Sequence, residues 1–95
     1  MFIINITVND DLCAEQHESL FKHHVEWFKR YFAAGKFVLL GPYLDSERAG
    51  VIIANLTDRD ELMAVLREDV YFPDKASYEI REFAASMAAS HFNPR

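Results

Sequence analysis

The sequence predicts an α+β domain, and three observations carry that prediction. Residues 2–8, "FIINITV", alternate with the period of a strand: Phe2, Ile4, Ile6 and Val8 share one side. Residues 14–34 repeat apolar positions with the period of a helix and stop at Gly35. The whole chain then reads strand, helix, strand, strand, helix, strand. Its 95 residues suit one domain over 1–95, with a core over 1–83 and a tail over 84–95.

Each later element has its own signal. "KFVLLGPYL" (36–44) reads as a strand that Gly41-Pro42 interrupts or bends. "DSERAG" (45–50) is a turn, and "VIIANL" (51–56) a third strand. Thr57 or Asp58 caps a short helix through "TDRDELMAVLRED". Pro73 breaks the segment that follows, and "SYEIREF" (77–83) is a fourth strand. The small-residue tail "AASMAASHFNPR" is expected as a short helix, lying across a partner chain.

This order is the ferredoxin-like split βαβ pattern, with two helices on one face of an antiparallel sheet. "FVLL" and "VIIA", taken as central strands, are apolar on both sides, so the second face also needs cover. Two such sheets packed face to face give a homodimer, a dimeric α/β barrel. A composition of 51% hydrophobic residues agrees with surface buried against a second copy.

Charge and cysteine content exclude several classes of function. The net charge is −5 and the basic residues are scattered, so nucleic acid is not an expected partner. No apolar run reaches the length of a membrane span, and "MFIINITV" lacks a basic start and a cleavage site. The single Cys13 makes no intrachain disulfide and no paired-cysteine metal site. A cytoplasmic protein is the expectation. No histidine spacing matches a metal motif and no glycine-rich phosphate loop exists, so no cofactor is expected.

The chemistry centres on "FKHHVEWFKRYF" (21–32). At about 100° per residue, His24 lies within about 60° of Leu20, Trp27 and Phe28, in the apolar stripe. His23 falls on the edge and is expected in solvent, while His17 can share the face of His24. An imidazole on a buried face needs a partner, and histidine is the side chain most readily tuned for proton transfer near neutral pH. The second helix offers one. If it persists to Asp69, that carboxylate continues the line of Leu62 and Val65, on a helix that lies beside the first. A packed core histidine and a solvent-facing helix end remain the alternatives.

The order of these residues resembles the YciI-like (YCII-related) family. The features are His24, Gly35 ending the helix, Gly41-Pro42, and a carboxylate two residues before a tyrosine, here "DVY" (69–71). The resemblance covers about residues 1–83. It implies a ferredoxin-like dimer with a His–Asp dyad in a pocket, placed here on His24 and Asp69. The family commonly has Asp-Pro where this chain has Asp69-Val70, which implies a reshaped pocket wall. One branch similar in scale removes chloride from chlorinated hydroxyquinol in aromatic degradation. Muconolactone isomerases are related barrels.

A carboxylate-held imidazole is a general base. It could deprotonate a phenolic hydroxyl and drive loss of chloride or a double-bond shift, with activity rising as pH rises. The aromatic residues Trp27, Phe28, Tyr31, Tyr43, Tyr71 and Phe72 suit a flat ring. Trp27, Pro42, Tyr43 and Tyr71 are the expected substrate contacts. The expected function is therefore a cofactor-independent lyase or isomerase acting on a small cyclic hydroxylated compound. The alternative is a non-catalytic dimeric binding domain with a structural His–Asp pair.

Overall fold

The computed structural model describes residues 1–89. It has β1 (Phe2–Val8), α1 (Ala14–Ala33), β2 (Phe37–Pro42), β3 (Ala49–Ala54), α2 (Arg59–Leu66) and β4 (Ala76–Glu82). The four strands form one sheet in the order β2-β3-β1-β4, with every neighbouring pair antiparallel. β1 and β2 therefore run parallel with β3 inserted between them, an arrangement compatible with a ferredoxin-like split βαβ. Among the described residues, no helix is long and apolar enough to cross a membrane.

Alternation in β1 fixes the core. Phe2, Ile4 and Ile6 are buried, joined by Phe37 of β2, Ile52 and Ala54 of β3, and Leu62, Val65 and Leu66 of α2. Ile3, Asn5 and Thr7 point to the other face, which no helix among the described residues covers. α1 meets α2 through Trp27, whose indole Nε1 donates to the Val65 carbonyl at 3.0 Å. An indole can be buried here because its one donor finds that acceptor.

The helix ends follow from named side chains. Cys13 is the N-cap of α1: its Sγ accepts from the Gln16 amide, and the Gln16 side chain accepts from the Cys13 amide. The two close a capping box with sulfur in the usual place of a hydroxyl. At the other end Gly35 takes φ 80°, its amide donates to Phe32, and that of Lys36 to Tyr31. These are the two bonds of a Schellman motif. Asp58 caps α2 by accepting from the Asp60 amide.

Several expectations are corrected. β2 is an edge strand, not a central one. It ends at Pro42, paired opposite Gly50, so Gly41-Pro42 closes the strand two residues short of the expected end. The irregularity lies between Phe37 and Leu39, where one extra residue lets both Phe37 and Leu40 face the core. β3 starts at Ala49 and ends at Ala54, two residues earlier at each end than expected. α2 ends at Leu66, so Asp69 is not on it. Residues 84–89 form no helix; the rest of the tail, His91 included, lies outside the described residues.

Candidate active site

Asp69 sits in the turn after α2, and its own chemistry shapes that turn. Its amide donates to the Leu66 carbonyl, and its carbonyl accepts from Phe72. Its Oδ1 accepts weakly from the Tyr71 amide at 3.4 Å, the two-residue reach of an Asx turn. Backbone and side chain together return the carboxylate toward the core, where Asp69 is 2% exposed and the one buried charged residue among those described.

A buried carboxylate is tolerable only when donors replace its water. Oδ1 lies 2.8 Å from Nδ1 of His24, and Oδ2 accepts from the Tyr78 hydroxyl at 2.7 Å. Burial raises the Tyr78 hydroxyl far above the ordinary tyrosine value, and its bond to Asp69 raises it further. Tyr78 is therefore a fixed donor. It holds one carboxylate oxygen so that the other stays directed at His24.

His24 is enclosed by rings. Trp27 stacks on it with centroids 5.4 Å apart, Phe28 meets it edge-on at 5.4 Å, and Tyr71 lies at 5.1 Å. Its side chain is 12% exposed. The carboxylate can only accept, so a neutral imidazole must carry its proton on Nδ1. Nε2 then presents its lone pair. It has no protein partner among the described residues. The adjacent His23 is exposed and lies 3.8 Å from Glu26, the solvated position its helical phase predicts.

His24 borders a cavity of about 350 Å³ between α1 and the β2–β3 hairpin. That size suits a small ring compound. Its apolar lining comes from Ile6 and Val8, Phe21 and Phe28, and Leu40 and Pro42. His17, Ser46 and Arg48 add polar groups. Gly50 on the β3 side lies so close to β2 that a Cβ there would meet the Gly41 carbonyl at 2.9 Å, so the hairpin bordering the cavity needs that glycine.

The structure thus brings His24, Pro42 and Tyr43 to one cavity. The Tyr43 hydroxyl, however, turns to the uncovered face and donates to Asn5 Oδ1. Trp27 and Tyr71 do not line the cavity; both are buried behind the imidazole. Tyr31 packs on Trp27 and Phe37, and Phe72 on Tyr78. Three site residues were not singled out from the sequence. Tyr78 was findable, because Ala76, Tyr78 and Ile80 alternate with Ser77, Glu79 and Arg81. Phe21 begins the quoted stretch 21–32 but was not assigned to the site. Arg48 had no signal, since its place depends on the hairpin's backbone path. Among the described residues no three His, Cys, Asp or Glu side chains gather as a metal site.

No curated protein matches the chain. A family model described as the YCII-related domain matches residues 1–84.

Proposed function

The chain belongs to the YCII-related family, and we propose that it is a general-base lyase or isomerase acting on a small cyclic hydroxylated substrate. One observation carries the reading: a fully buried carboxylate fixes Nδ1 of His24 at 2.8 Å, leaving Nε2 for a cavity of ring size.

The step needs only proton transfer. Nε2 takes the proton of a substrate hydroxyl, and the O–H electron pair moves into the ring. Asp69 steadies the imidazolium that forms, with Tyr78 holding its second oxygen. The proton returns to a ring carbon. In an isomerisation the reaction ends there with a shifted double bond. If that carbon carries chlorine, a second hydroxyl proton passes to Nε2 and chloride departs with the C–Cl electron pair. The net loss is then HCl. Dehydrochlorination of a chlorinated hydroxyquinol is the specific form we propose. Pro42 and Tyr43 contribute a wall, while Trp27 and Tyr71 act on the substrate indirectly by clamping the imidazole.

We also propose a homodimer through the uncovered sheet face. Ile3 and Ile53 are half-buried there, and Leu39 and Phe83 are exposed beside them. A second copy is the partner that presents the same apolar strip.

The test is chloride release from chlorinated hydroxyquinols, with unchlorinated ones followed for isomerisation. Wild type should turn over at least one, and His24→Ala should turn over none. A folded wild type inactive on the whole set would favour the binding domain with a structural His–Asp pair.

A further inference from the structure

The cavity's polar lining has one sign. His17, His24 and Arg48 border it and no aspartate or glutamate does, in a chain whose net charge is −5. Asp69 lies behind His24 and is not part of the wall. Among the described residues Arg48 forms no ion pair. Among the described residues its side chain donates one hydrogen bond, a long one from Nη1 to the Asn9 carbonyl at 3.3 Å. His17 has a buried ring nitrogen, Nδ1, with no partner among the described residues.

Arg48 is also held in an uncommon way. Its φ is 55°, the left-handed region that side chains other than glycine and asparagine rarely take. Its carbonyl accepts from the Val8 amide at 2.8 Å, so the hairpin's return to β1 fixes that conformation. A glycine would meet the backbone need with less strain. An arginine there suggests that the guanidinium at the cavity rim has work of its own. Its field reaches inward: burial and Asp69 raise the buried Tyr71 hydroxyl, and Arg48 opposes them.

We infer that the substrate binds as a monoanion, a small hydroxylated ring whose negative oxygen, a phenolate or a carboxylate, docks on Arg48 and His17 while a further hydroxyl meets Nε2 of His24. The inference rests on the general-base reading and adds the substrate's charge and its orientation. Guanidinium and carboxylate pair through charge-assisted bonds, while Phe21, Phe28 and Leu40 cover the ring.

Trp27 is the chain's one tryptophan and stacks on His24, so its fluorescence reports cavity occupancy. The probes are 4-hydroxybenzoate and its neutral counterpart 4-hydroxybenzamide, titrated into the full chain. Wild type should bind the carboxylate at least ten-fold more tightly. Arg48→Gln should erase that preference. Arg48→Gly should erase it too, with an equal or higher Tm because the left-handed strain is gone. His24→Asn should keep the preference even though it has lost the base, so a failure of the proton-transfer chemistry leaves the anion site standing. Equal binding of the two probes to wild type, no response to either at millimolar concentration, or a preference that survives both Arg48 variants would overturn the inference.

Discussion

The two faces of the sheet carry chains of hydrogen bonds that look alike on paper. On the helix face the Tyr78 hydroxyl donates to Asp69, which accepts from His24. On the open face the Tyr43 hydroxyl donates to Asn5, whose amide donates to Glu79 at 3.0 Å. Both begin at a tyrosine, both pass through an Asp or Asn, and both end on a titratable side chain. They differ in surroundings. Asp69 is sealed, so its bonds are the only solvation its charge has. In the single chain Asn5 and Glu79 meet water, which competes for each bond. The same donors and acceptors are therefore strong and directional on one face and weak on the other. A hydrogen-bonded chain suggests catalysis only where burial makes its partners obligatory and a cavity lies at its end.

The largest expected effect breaks the inner chain at its centre. Asp69→Asn keeps the side chain's shape and its Asx turn, but it can present an N–H to His24 and permit the wrong tautomer. On a confirmed substrate kcat should fall on the order of 10²–10⁴-fold, with circular dichroism unchanged. A loss below about three-fold would place the inner chain on the same footing as the outer one.

The next effect compares the tyrosines directly. Tyr78→Phe leaves Oδ2 of a buried carboxylate without its donor and should cost about 1–3 kcal/mol in urea unfolding. Tyr43→Phe should cost within about 0.5 kcal/mol, because water replaces the exposed bond. Equal costs would contradict the contrast. That measurement belongs on an isolated chain, which the open face decides. Wild type should sediment as a dimer of 11.0 kDa chains, and Ile53→Lys as a monomer. A wild-type monomer at micromolar concentration would remove the dimer proposal.

The smallest effect is alkaline. Tyr78 has a hydroxyl raised by burial and by Asp69, so folding favours its protonated form. Below the ordinary tyrosine value of 10.0 it is protonated in both states and contributes no pH dependence. Above that value the unfolded chain loses the proton first, and stability falls as pH rises. Tyr78→Phe should make that fall shallower; an unchanged slope would show that the buried hydroxyl is not its source.

Legibility in the sequence was uneven for physical reasons. The order of elements, the inward side of Phe2, Ile4 and Ile6, and the helix stop at Gly35 all follow from local periodicity and backbone freedom. His24 was found by helical phase, which depends only on its own helix. Asp69 was reached by a line drawn along a helix that ends three residues before it. Backbone bonds from Glu68 to Val65 and from Asp69 to Leu66 continue the winding past the end of α2, so Asp69 reaches His24 although the helix has stopped. The extra residue between Phe37 and Leu39 reverses the strand's alternation, and nothing in "KFVLL" marks it. Arg48 owes its place to a left-handed backbone that glycine usually marks and arginine does not.

The central claim is that Asp69 holds the proton on Nδ1 of His24 and leaves Nε2 as the base. Long-range proton–nitrogen NMR on the ¹⁵N-labelled protein, at a pH where the His24 ring is neutral, reads that tautomer directly. Wild type should show a protonated Nδ1 and a bare Nε2, with the preference lost in Asp69→Asn. A bare Nδ1 with the proton on Nε2 would contradict it.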